Sequence, residues 1–190
     1  MKRTYVRVLK VTIYCLLVVS MMCLIQQPAF ADSAAEIDKE VELALENLYA
    51  GTPTARELST AAKGILIFPD VIKAGLMIGG QYGEGALLVK GETVGYYNTV
   101  AASYGLQAGA QSFGYAMFLM TDEALQYLQE SSGWEIGVGP TIVVVDKGVA
   151  KSLTTSTAKD EIYAFFFHQK GLMAGLGLQG SKITKIDPDK

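Results

Sequence analysis

Residues 72–85 read IKAGLMIGGQYGEG. Ile72, Leu76, Met77 and Ile78 are interleaved with five glycines, one lysine and one carboxylate. Such a stretch suits a phosphate-cradling loop, a membrane-seeking segment, or a strand whose backbone must let something lie close to it. A Walker-type loop ends its glycine run in Lys-Ser or Lys-Thr and enters a helix. Here GEGALLVKG occupies 83–91, with neither that pair nor a helical period behind it. A dinucleotide fingerprint needs a third glycine three positions after the second, and Leu88 stands there. Glycine inside a strand sacrifices packing and entropy, so its repetition marks a bulge, a tight bend, or close approach by a backbone or ligand. The stretch therefore reads as a sharply bent strand. Gly105, Gly109 and Gly114, then Gly171, Gly175, Gly177 and Gly180, repeat the device. Three such ribbons can curl round a common interior, or simply relieve side-chain crowding in a curved sheet.

Working outward, GILIF at 64–68, TVGYYN at 93–98, WEIGVG at 134–139, TIVVVD at 141–146, EIYAFFF at 161–167 and KITKI at 182–186 are further strand-like runs. KGE at 90–92 and DKG at 146–148 read as turns between them. Helices are expected at the front. Ser33-Ala-Ala-Glu36 is a capping box, followed by Ile37, Val41, Ala44, Leu45 and Leu48 at helical spacing. Thr54-Ala-Arg-Glu57 reads as a second box opening a short helix that Gly64 can close. Thr121 can cap a helix over 122–130, and KSLTTSTAKD at 151–160 reads as a polar loop. The expected class is α+β: a bent, mainly antiparallel, barrel-like sheet over 64–190, with N-terminal helices over 32–63 and one helix near 122–130.

Residues 1–31 read as a cleaved signal peptide. Lys2, Arg3, Arg7 and Lys10 form a basic start, Val11–Ile25 an apolar run, and Ala29 and Ala31 a small-residue cleavage site. The apolar run is shorter than the roughly 20 residues that span a bilayer. Met22 before Cys23 lacks the small residue a lipidated cysteine needs. Both cysteines, Cys15 and Cys23, fall in this leader, so the processed chain would hold no disulfide and no thiolate. Four of the 16 basic residues leave with it, giving −7 for residues 32–190. That balance disfavours nucleic acid, whose phosphates need clustered lysine and arginine. The remaining chain suits one domain in the periplasm or cell envelope.

AKGILIFPDVIKAGLMIGGQYGEGALLV at 62–89, YGLQAGAQSFGYAMFLMTDEALQYL at 104–128, GVGP at 137–140 and IYAFFFHQKGLMAGLGLQGSKI at 162–183 resemble the SYLF domain family in order and spacing. The resemblance runs from about Ser59 to Ile183 and is most specific at Lys63-Gly64, Lys73-Ala-Gly, Thr121–Ala124, Gly139-Pro140 and Lys170-Gly171. It implies a non-enzymatic domain binding phosphoinositides or other phospholipids, with eukaryotic relatives that also bind actin. Relatives that use a basic amphipathic N-terminal segment differ from this chain, where Ser33–Tyr49 is acidic. Actin is not an expected partner of an exported chain. Phospholipid or a membrane surface is.

Catalysis has little support in the residues. His168 is the single histidine, and neither a G-x-S-x-G elbow nor H-E-x-x-H occurs. No metal or other cofactor is expected. Binding has more. Lys63, Lys73 and Lys170 read as turn residues leading into glycine-rich strands, and KAGLMIG at 73–79 echoes KGLMAG at 170–175. If those turns share one end of the sheet, three ammonium groups ring an apolar surface of Leu76, Met77, Leu172 and Met173, fitting a headgroup and its acyl chains. The competing readings are a small outer-membrane β-barrel or structural envelope protein, and an exported hydrolase using His168. Oligomeric state and headgroup preference are not encoded in any pattern found.

Overall fold

One hairpin organises the described chain. The computed structural model describes residues 32–145, 150, 153–171 and 180–189, with backbone only at 76–77 and 103–108. β1 (Gly64–Val89) and β2 (Glu92–Leu119) are 26 and 28 residues long and pair antiparallel from Gly64↔Leu119 to Val89↔Glu92. Lys90 and Gly91 alone turn the chain, with φ of 54° and 85°. Positive φ at both central positions is what two-residue type I′ turns require, hence the glycine at 91.

A straight strand of this length would run about 85 Å. The ribbon instead folds back on itself. Its register shifts between Phe68 and Val71, Leu76 and Ile78, and Leu87 and Leu88, and each irregularity adds bend and twist. At the middle, a methyl on Gly75 would overlap the Gly79 Cα and sit 2.8 Å from the Ile78 carbonyl oxygen. Further out, a methyl on Gly83 would lie 2.7 Å from Val71 Cγ2, and one on Gly85 would overlap the Ile67 carbonyl oxygen. The distal half of the hairpin (79–103) thus lies against the proximal half (64–75 with 109–119), nearly backbone to backbone. The glycines serve close approach.

Four short strands extend the ribbon. β5 (Ile162–Gly171) pairs antiparallel with proximal β2, and β4 (Ile142–Val145) pairs parallel with β5. β6 (Lys182–Ile186) pairs with distal β2, and β3 (Trp134–Glu135) with β6. The order is β3-β6-β2-β5-β4, with β1 on β2, in a curled half-barrel of mainly antiparallel strands. The expected α+β class is what the chain adopts.

Alternation sorts the side chains. The concave interior holds Leu66, Phe68, Leu87, Tyr97, Phe113, Tyr115, Met117, Leu119, Trp134 and Ile183, all buried. Helix α3 (Asp122–Glu130) adds Ala124 and Leu128, and Thr121 caps it by accepting the Ala124 N–H at 3.1 Å. The convex face buries Ile67, Ala86, Ala116, Phe118 and Phe165 beneath α1 (Ala34–Gly51) and α2 (Pro53–Ser59), through Ile37, Val41, Ala44, Leu48, Ala55 and Leu58. The Ser33–Glu36 capping box forms as read.

Several local expectations are corrected. Thr54 does not cap α2: Thr52 holds the N-cap position, Pro53 occupies the first turn, and the Thr54 hydroxyl donates to the Ala150 carbonyl at 2.9 Å. Proline needs no N–H partner there and displaces the start by two residues. Gly64 does not close that helix, which ends at Ser59; it opens β1. The run at 64–68 and the glycine-rich stretch at 72–85 are one strand, as are the run at 93–98 and the stretch carrying Gly105, Gly109 and Gly114, as far as Leu119. WEIGVG contributes only Trp134 and Glu135. The DKG turn and the strand-like run over 172–179 lie outside the described residues.

Candidate functional site

Where the two halves of the hairpin face each other, their inward residues form rows. The deepest described rows are apolar and aromatic. Phe68 and Tyr115 have ring centroids 4.9 Å apart, and Phe166 packs 5.8 Å from Tyr115. The next row toward the bend pairs Val71 and Phe113 on the proximal half with Gly83, Thr99 and Ile183 on the distal half.

The row nearest the bend is polar. Lys73 is in register with Gln111, and Ala101 with Gln81; Ser181 lies one step beyond the Val100↔Lys182 pair. The fold-back contacts Gly75–Gly79 and Gly83–Val71 bracket Gln81 and set it across from Lys73. Parity points all four polar side chains inward, because Gln111 alternates with Phe113 and Tyr115 while Ser181 alternates with Ile183. Gln81 Nε2 donates to Ser181 Oγ at 3.5 Å. Gln81, Gln111, Thr99 and Ser181 are buried; Lys73 is half-buried.

This polar group is under-satisfied. Thr99 Oγ1, Gln111 Nε2 and Tyr115 Oη are buried and lack a hydrogen-bond partner among the described residues. Burial pushes the Tyr115 phenol well above its ordinary range, and the nearby Thr99 hydroxyl offsets only part of that. The two hydroxyls are neighbours without reaching bonding geometry. Leaving such groups unpaired costs about 1–3 kcal/mol each, so three in one interior demand an explanation.

The outer surface of the bend gathers exposed apolar side chains, although Leu43, Val138 and Val144 are as exposed elsewhere. Ile72, Ile78, Tyr82 and Val100 are exposed, with relative exposures of 59%, 68%, 49% and 45%. Ala74, Ala102 and Ala110 are exposed beside them. Beyond Tyr82 lies an acidic group. Tyr82 Oη donates to Glu84, and the Asp32 N–H donates to the other Glu84 oxygen at 3.2 Å. Burial and the Glu84 charge raise the Asp32 carboxyl above its ordinary range, while burial, with Asp32, Asp70 and Glu36 nearby, raises Glu40.

The three lysines separate. Lys63 precedes β1 at the far end, donating its N–H to the Leu119 carbonyl at 2.8 Å and pairing with Asp122 at 3.2 Å. Nine residues lie between it and Lys73, a separation of about 30 Å along a strand. Lys73 and Lys170 are strand residues, not turn residues. They stand at nearly the same height on either side of β2, since Lys73 pairs with Gln111 and Lys170 with Ser112. That single step turns Lys73 inward and Lys170 outward. Leu76 pairs with Ala108 at the bend, with Met77 beside it in β1; Leu172 and Met173 lie outside the described residues. His168 is exposed at the β5 irregularity, with φ of 51°.

Residue reasoning missed Gln81, Thr99, Gln111, Tyr115 and Ser181. A signal existed: Gln111 shares parity with Phe113, Tyr115 and Met117, so a polar side chain had to face the core. Among the described residues no cluster of three or more His, Cys, Asp or Glu could hold a metal, and no helix is long and apolar enough to cross a membrane.

Comparison with known families gives a match. Residues 100–188 match the Ysc84 family, described as a Las17-binding protein actin regulator. No curated protein matches the chain. The matched segment takes in β2 from Val100, α3, β5 and β6, and so Gln111, Tyr115 and Ser181 of the polar row and its neighbourhood.

Proposed function

We propose that this chain, which carries a Ysc84 (SYLF) domain over residues 100–188, is an exported phospholipid-binding domain working without catalysis at a membrane surface in the cell envelope. The family is a binding family associated with lipid and actin, not a known enzyme family. Export rests on the leader-like pattern of residues 1–31, and it is the reason lipid rather than actin is the partner proposed. The observation that carries the reading is the bend. Its outer surface exposes Ile72, Ile78, Tyr82 and Val100 beside Lys170, while Lys73 stands at the inner edge. An apolar surface with amphipathic lysines at its margin suits the boundary between headgroups and acyl chains.

Co-sedimentation with vesicles of phosphatidylglycerol and phosphatidylcholine tests this. The purified chain is expected to bind. Ile78→Glu is expected to weaken binding at least about tenfold, the scale of losing one buried aliphatic side chain. Lys73→Ala with Lys170→Ala should weaken it further, whereas Lys63→Ala, remote and paired with Asp122, should not. Absence of vesicle binding by the unmodified chain would end the reading.

A further inference from the structure

The geometry points to an oxyanion site inside the fold-back, where Lys73, Gln111, Gln81 and Ser181 receive the phosphate or carboxylate of an amphiphile, with the Thr99 and Tyr115 hydroxyls behind them. This deepens the lipid-binding reading and rests on it for the amphiphile. Its physical basis is separate. Three polar atoms, Thr99 Oγ1, Gln111 Nε2 and Tyr115 Oη, are buried and unpartnered among the described residues. Every one belongs to a group able to donate a hydrogen bond. Gln81 already donates to Ser181, whose hydroxyl proton stays available. Lys73 supplies a cation at the same level. No carboxylate stands in these inward rows among the described residues. Convergent donors with one cation and no anion select for an acceptor carrying negative charge. The row lies beside the bend whose outside exposes Ile72 and Ile78.

The arrangement also has a graded depth. Beyond the polar row come Val71, Phe113 and Ile183, then the aromatic group of Phe68, Tyr115 and Phe166. An anionic group entering from the bend meets Lys73 and Gln111 first and the two hydroxyls last.

The test uses the full chain and three soluble probes: dihexanoyl-phosphatidylglycerol, inorganic phosphate, and uncharged dihexanoylglycerol. The Gln111 and Gln81 side-chain amide NMR signals are followed during titration. Saturable shifts are expected with the phosphatidylglycerol and not with dihexanoylglycerol. Gln111→Leu and Thr99→Val should each weaken phosphatidylglycerol binding about tenfold, the effect of removing one hydrogen bond to a charged group. Neither should lower the melting temperature of the free chain, since each removes an unpaired buried polar atom. Shifts from inorganic phosphate alone would uphold the site and assign it to free anion. Equal shifts from dihexanoylglycerol, or unchanged phosphatidylglycerol affinity in both variants, would overturn it. Vesicle binding without any amide shift in the unmodified chain would overturn the site while sparing the lipid reading. Phosphate shifts without vesicle binding would do the reverse. The amide shifts of the unmodified chain decide the matter even if a variant fails to fold.

Discussion

At the scale of single residues, the glycines of the hairpin divide into those that permit contact and those that do not. Gly85 sits where a methyl would overlap the Ile67 carbonyl oxygen, whereas a methyl on Gly80 would meet only the Ala101 carbonyl oxygen, at 4.0 Å. Gly85→Ala is expected to destabilise the fold by about 3 kcal/mol, the upper range of overpacking. Gly80→Ala should be neutral or stabilise it by about 0.5 kcal/mol through the unfolded chain. Urea denaturation of both variants distinguishes the two. Sequence pattern identified this run as bent strand, since no nucleotide motif could account for its glycines. Which glycine touches what was not legible, because the partners Ile67 and Val71 lie in the same strand and meet it only after the ribbon folds. The expected ring of Lys63, Lys73 and Lys170 at one end of the sheet does not form, for a related reason. A one-residue difference in register reverses a side chain's face, and no composition rule reports register across a bulge.

At the scale of elements, helices were the most legible parts. The Ser33–Glu36 box forms with both reciprocal bonds, Glu36 N–H to Ser33 Oγ at 3.4 Å and Ser33 N–H to Glu36 Oε2 at 3.0 Å. The Ser33 N–H, helped by the Ser33 hydroxyl donating to Oε2 at 2.9 Å, holds the Glu36 carboxylate below its ordinary range. Ser33→Ala should cost about 1 kcal/mol of stability, measurable by thermal or chemical unfolding. Thr54→Ala should act differently, by releasing the Ala150 carbonyl rather than a helix end. The hairpin was legible only in pieces. Turn chemistry announced Lys90-Gly91 correctly, but the bend at 75–79 has no turn residues of a recognised type. It is made by glycine contact and a register shift inside continuous pairing. Four expected runs therefore became two long strands.

Across the whole molecule, charge predicts how stability follows pH. The Asp32 and Glu40 carboxyls sit above their ordinary range because of burial and neighbouring acids. The folded state therefore binds their protons more tightly than the unfolded chain does, so stability rises as pH falls into the window just above ordinary carboxylate values. Glu36 works oppositely: its contribution is complete above the ordinary range and is lost only below it. Thermal unfolding against pH should thus show a maximum at mildly acidic pH, and a maximum at neutral pH would contradict this balance. At the alkaline end, Tyr82 and Tyr96 are pushed up to about 12 by burial and by hydrogen bonds to Glu84 and Asp38, while burial raises Tyr49, Tyr97 and Tyr115 as well. The unfolded chain ionises its phenols first, so stability should fall from about pH 10 upward. Absorbance at the phenolate band should rise together with unfolding rather than before it.

The two-residue connection at Lys90-Gly91 has a kinetic corollary. Loop-closure entropy makes the pairs beside that connection, such as Val89 and Glu92, the cheapest to form, while Gly64 and Leu119 meet only after everything between has zipped. Collapse of one half onto the other must wait for most of that zipping. Folding of this domain should accordingly be slow for its size, and pulse-labelling hydrogen exchange should find amides near 85–97 protected before those near 64–68.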